Sequence, residues 1–194
     1  HTRNDFFVRY NELPDVQQNI FSFAFFFFGK FGFEAVIVFF VLSGFLVGGK
    51  GLERIHNHEF DVKSYAIDRF VRIGIPLASA IVFGVVIMSL INIEFSYFVA
   101  IGNLLSLQGI ACEPFISPFW SLSYEVWFYI ILGSIGMVFN GSKKGMVLFL
   151  ICWLAFMKLA PYFLFMWFMG AFAYYLRPKK RNNVVLYLSF IMLL

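Results

Sequence analysis

Glu125 is the only charged residue in an apolar run that covers residues 115–139. A carboxylate deep in such a run costs about 2.5–3.5 kcal/mol to insert, so a chain that keeps one has a use for it. One use is in a reaction site, where Glu125 would orient a base or hold the hydroxyls of a substrate. Another is structural, since Ser121 lies four residues earlier and Ser123 two, and either hydroxyl can pin the helix end. Ser43-Gly44 interrupts a second apolar run, 39–46. No G-x-S-x-G elbow surrounds Ser43, so it does not read as a nucleophile. Gly44 and Gly48 instead make a small-residue face for close helix packing, with Ser43 free to hydrogen-bond in a pore lining. Arg69 and Arg72 are three apart and share a helix face, which suits either phosphate binding or anchoring of a span end. His56 and His58, with Glu59 and Asp61, form no ligand cluster at zinc-like spacing and read as a solvated loop, so no metal is expected.

These residues must be positioned by a membrane-embedded bundle. Of 194 residues, 61% are hydrophobic and 13% charged, and 29 are Phe. Soluble domains run at about 45–50% apolar and about 25% charged. The expected fold is all-α, a polytopic integral membrane helical bundle of about six spans, the last truncated. The spans are expected at 21–49, 73–93, 115–139, 146–160 and 161–176, with a sixth starting at 184. Lys30 and Glu34 are four apart and can pair on one face of the first. Residues 1–194 are read as a fragment of a single transmembrane domain, truncated at both ends.

Basic residues set the sides. Lys50, Arg54, Lys63, Arg69 and Arg72 fall between the first two spans, Lys143 and Lys144 after the third, and Arg177, Lys179, Lys180 and Arg181 after the fifth. The positive-inside rule places all three groups in the cytoplasm, so the net charge of +4 reflects topology, and no nucleic acid is expected. An even number of crossings must then separate the first two groups. Residues 97–110 are apolar but short, and are predicted to form a re-entrant or interfacial helix on the outer side. Trp120, Tyr124 and Trp127 are expected to form an interfacial belt there. Cys112 and Cys152 are not expected to pair. Asn92, Glu94, Asn103 and Glu113, near Tyr97, Phe98 and Phe115, are either a glycan surface or ordinary loop residues.

Several stretches together resemble the acyltransferase family 3 membrane proteins, the bacterial O-acyltransferases of surface and secreted glycans. Glu34-Ala35-Val36 followed by Phe39-Phe40-Val41-Leu42-Ser43-Gly44-Phe45 resembles the family's second span. Asp68-Arg69-Phe70-Val71-Arg72-Ile73-Gly74-Ile75-Pro76 resembles its cytoplasmic R-x-x-R-I-x-P motif. Trp120-Ser121-Leu122-Ser123-Tyr124-Glu125-Val126-Trp127-Phe128-Tyr129 resembles its W-S-L-S-x-E-x-x-F-Y signature. His1 falls where the family's histidine closes the first span. Ala35 stands where many members have Gly, and the family's arginine before that histidine would lie upstream of residue 1.

The resemblance implies an enzyme, a membrane O-acetyltransferase. It would carry an acetyl or other short acyl group from cytoplasmic acetyl-CoA (acyl-CoA) to a hydroxyl of an extracytoplasmic carbohydrate or glycolipid. His1 is then the catalytic base, an imidazole with pKa near 6.5 suited to taking a hydroxyl proton. Glu125 is its catalytic companion, as orienter of the histidine or ligand of the acceptor. Arg69 and Arg72 hold the CoA phosphates, unless Asp68 pairs with Arg72. The partners are the lipid bilayer and the glycan, and the location is the inner (plasma) membrane, multi-pass. The rival reading is a multi-span transporter or glycan flippase without acyl transfer, but no internal symmetry of the inverted-repeat kind is visible.

Overall fold

A computed structural model describes residues 31–177. His1, Lys30, and the expectations for the N-terminal segment and the sixth span lie outside the described residues. Within them every regular element is helical, apart from one isolated bridge between Gln108 and Cys112.

The first long helix is built in three pieces. Helix α1 (Gly32–Ser43) passes into a π-helical segment, Gly44–Gly49, and then into α2 (Lys50–His56). The second long helix repeats the plan: α3 (Val62–Arg69), a π-helical segment at Phe70–Gly74, and α4 (Ile75–Leu90). Next come the short α5 (Tyr97–Leu104), a 3₁₀ turn at Ser117–Phe119 that leads into α6 (Trp120–Phe139), then α7 (Lys143–Lys158) and α8 (Pro161–Leu176). Three continuous helices, Gly32–His56, Val62–Leu90 and Ser117–Phe139, are long and apolar enough to cross a membrane, while Pro161–Leu176 is apolar but shorter.

The helix ends correct the expected spans. Hydropathy marks where apolar residues lie, whereas a cap marks where a helix begins. Asp61 accepts from the Lys63 and Ser64 N–H groups and starts α3 eleven residues before the apolar run. Lys50, Arg54, Lys63, Arg69 and Arg72 therefore all sit on helices, with only residues 57–61 between them.

The core gathers where α1, α6, α7 and α8 meet. Phe40 is fully buried, edge-on to Phe128 at 5.2 Å and to Phe163 at 5.3 Å. Phe128 stacks in turn on Phe156 and Trp167. Glycines let the backbones touch: a Cβ on Gly44 would overlap the Trp167 carbonyl, and one on Gly170 the Val41 carbonyl. The small-residue face expected at Gly44 and Gly48 thus packs against α8. Exposed Phe, Leu, Ile and Val side chains cover the outside of the bundle.

The segment after α5 is fastened from within. Asn103 is completely buried; its amide donates to the Val99 and Glu113 carbonyls and its oxygen accepts from the Phe115 N–H. It is therefore no part of a glycan surface, because its polar atoms are used inside the protein. Ser106, held at φ 56°, turns its carbonyl toward α6, where it accepts from Ser123 Oγ and Trp127 Nε1. Tyr124 and Trp127 are accordingly buried rather than set in a belt: the indole N–H and the phenol find partners inside.

Candidate functional site

Glu125 is five residues into α6 and only 1% exposed. Ser43, the last residue of α1, donates to Glu125 Oε1 at 2.5 Å. Trp167 Nε1 on α8 donates to Ser43 Oγ at 3.2 Å. Neither serine considered from local spacing serves Glu125, because Ser121 donates to the Pro118 carbonyl and Ser123 to that of Ser106. The carboxylate is thus held from another helix, 82 residues away in sequence.

Its other oxygen, Oε2, is buried and has no hydrogen-bond partner. The Tyr129 hydroxyl, one turn further along α6, interacts with Glu125, Ser43 and Arg69, yet it does not reach Oε2 with hydrogen-bond geometry. An unsatisfied buried polar atom costs about 1–3 kcal/mol, and more if it is charged.

Arg69 reaches the same region from the second long helix. Its guanidinium lies over the rings of Tyr65, at 5.6 Å from the centroid, and Tyr129, at 5.2 Å. Such contacts stabilise a cation away from bulk water. Nε and one terminal nitrogen of Arg69 are buried without acceptors. Arg69 and Glu125 were expected at opposite ends of their spans, but the fold draws them together, and the charges of Arg69 and Arg72 both act on Glu125. Each lies seven or eight residues into its long helix, about 10–12 Å at 1.5 Å per residue.

Arg69 and Arg72 do not share a face. Arg69 is half-buried and Arg72 is exposed. The reason is the π-helical segment that begins at Phe70: its wider turns rotate less per residue and swing Arg72 away. Asp68 and Arg72 form no ion pair; the described ion pair is Arg177 with Glu53, at 3.5 Å.

A cavity of about 410 Å³ opens beside Arg69, within the usual range for small-molecule sites. Tyr65, Arg69, Leu77, Tyr129, Gly133 and Met137 are among its walls, which are almost wholly apolar. Ser106 also lines it, so its few polar groups come from Ser106, Arg69 and the two tyrosines. Cys112 is a poor candidate nucleophile: burial first, then the Glu113 charge, raise its pKa and disfavour the thiolate. Among the described residues no three His, Cys, Asp or Glu side chains cluster to hold a metal ion. Reading the sequence missed Tyr129, Tyr65 and Trp167 as parts of this site, and took Ser43 mainly as a packing residue.

A family model described as an acyltransferase domain, that of acyltransferase family 3, matches residues 8–194. No curated protein and no solved structure matches the chain.

Proposed function

The chain belongs to acyltransferase family 3, and on that premise we propose that it moves an acetyl or other short acyl group across the inner membrane. The donor is cytoplasmic acyl-CoA and the acceptor is a hydroxyl of an extracytoplasmic carbohydrate or glycolipid. In this reading the protein is multi-pass, α5 lies at the outer side as a re-entrant or interfacial helix, and residues 1–194 are part of a single acyltransferase domain.

The observation that supports it best is that buried Glu125 lies within the electrostatic reach of Arg69, which lines an apolar cavity. The two come from helices that run in opposite directions: Tyr65 lies beside Gly133, and Phe60 beside Gly136. Groups that begin near opposite ends of the bundle thereby meet near its middle. A donor entering from one side and an acceptor from the other need such a meeting place, and apolar walls exclude the water that would hydrolyse a thioester.

Each residue then has its own role. Arg72, exposed, meets CoA phosphate from the cytoplasmic side. Arg69, deeper, offers its free N–H groups to the acyl carbonyl or to the nearest phosphate. His1 takes the proton of the acceptor hydroxyl as its oxygen bonds to the acyl carbon. The carbon–sulfur bond then breaks, and the proton passes to the CoA sulfur. Glu125 orients the histidine or holds the acceptor hydroxyl. Residue His1 carries its role by resemblance alone.

The test uses the full-length protein in inside-out vesicles from its host, fed radiolabelled acetyl-CoA. Wild type should label glycan, and His1→Ala and Glu125→Gln at equal expression should each lose at least about a hundredfold. Equal labelling by all three would remove both residues from the chemistry. No labelling by wild type in an acceptor-rich host would favour a transporter.

A further inference from the structure

Ser43 does more in this site than pack a helix. We propose that it is a positioning residue for Glu125: it fixes Oε1 through a hydrogen bond whose direction Trp167 imposes, and so singles out Oε2 as the working oxygen. The proposal rests on the reading that Glu125 takes part in transfer.

The direction is set by the donors and acceptors that each group carries. An indole N–H only donates, so the 3.2 Å contact uses Ser43 Oγ as acceptor. The single serine proton is then left for another acceptor, and Glu125 Oε1, at 2.5 Å, takes it in preference to the nearby Tyr129 hydroxyl. A helical serine without such a neighbour can turn its proton back to the carbonyl four residues earlier. Ser79 does this with the Ile75 carbonyl. Ser43 does not.

The carboxylate needs such help because its last torsion is soft and its two oxygens are chemically alike. Ser43 makes them unlike: one is bound, while the other is buried without a hydrogen-bond partner, the Tyr129 hydroxyl being near but out of bonding geometry. The support behind Ser43 is rigid. Gly44 brings α1 onto the Trp167 backbone. Phe128, three residues past Glu125 on α6, stacks on the Trp167 ring at 5.4 Å. Serine, indole and carboxylate are thus referenced to one another through three helices. Ser43, Trp167 and Glu125 are all buried, where such bonds are stronger than in water.

The test measures transfer from radiolabelled acetyl-CoA to glycan by the full-length protein in host membranes, at equal expression. Ser43→Ala should lower kcat by about ten- to a hundredfold, with KM for acetyl-CoA within about twofold. Ser43→Thr keeps the hydroxyl and should return to within about threefold of wild type. In a Glu125→Gln background, Ser43→Ala should cause no further loss, since the group it positions is already gone. Wild-type kcat in Ser43→Ala with an inactive Glu125→Gln would overturn the proposal and leave the function standing. Full activity of Glu125→Gln would remove the reading on which the proposal rests. Equal losses in Ser43→Ala and Ser43→Thr, or a Ser43→Ala loss that multiplies with that of Glu125→Gln, would make Ser43 a packing residue and overturn it as well.

Discussion

The two long helices that carry the site are built alike and packed in opposite ways. Both run α, π, α, and in both a site residue stands just before the π-helical segment: Ser43 in one, Arg69 in the other. The first is pressed against α8 with glycine at the contact, and its serine is fully engaged. The second is loose. In its most apolar stretch 11% of residues are buried, against 33% in that of Gly32–His56. Its arginine keeps unused N–H groups beside a cavity. The difference separates two duties of one site. One wall holds a functional group still, while the other leaves room for something to enter.

The sharpest way to break this contrast is to make one change where each long helix meets its neighbour, the first at α8 and the second at Gly133 of α6. Gly44→Ala drives a methyl group into the Trp167 carbonyl and should cost about 3 kcal/mol, the upper range for overpacking. At Gly133 the new Cβ meets Tyr65 at 3.6 Å, an ordinary contact, and better helix propensity should make Gly133→Ala about 0.5–1 kcal/mol more stable. Thermal unfolding of the full-length protein in detergent reads both. Similar losses would show that the second wall is as tight as the first.

A smaller effect is expected from Trp167→Phe, which keeps most of the stacking on Phe128 and removes the N–H. Loss of one buried hydrogen bond, with a slightly smaller ring, should cost about 2 kcal/mol. Transfer should fall with it, because the Ser43 proton is then free to turn away from Glu125. Unchanged transfer in a protein of lowered melting temperature would confine Trp167 to stability. The smallest effect belongs to Arg177→Ala. Arg177 lies over the Tyr174 ring and pairs with Glu53, but the two charged side chains are 47% and 43% exposed. Solvent screening should hold its loss below about 1 kcal/mol in the same unfolding measurement. A larger loss would mean that this end of α8 is part of the tight wall.

Much of this was legible in the sequence, for identifiable reasons. Glu125 was conspicuous because a charge in an apolar run is expensive. Gly44 and Gly48 were conspicuous because their spacing is that of helix contact. The bounds 161–176 of the last described helix were readable because Pro161 starts it and Arg177 comes directly after it. What was hidden depends on contacts between distant segments. Nothing local joins Ser43 to Glu125, and no periodicity tells an arginine that meets water from one that lies over Tyr65 and Tyr129. The aromatic residues at the start of α6 misled for a related reason. Composition shows that Trp127 needs a hydrogen-bond acceptor, not that the Ser106 carbonyl provides it.

The π-helical segment at Phe70–Gly74 has a consequence of another kind. Each such segment holds surplus chain relative to an α-helix, so it sets the angle between the helix before it and the helix after it. Arg69 and Leu77 both line the cavity across it. Removing a single residue between them would rotate one against the other by about 100°, the turn of one α-helical residue. The identities of Phe70, Val71 and Ile73, the first and last of which line the cavity, are then open to exchange only among apolar residues of similar size. Their number is not: at this place the protein is specified by length as much as by chemistry.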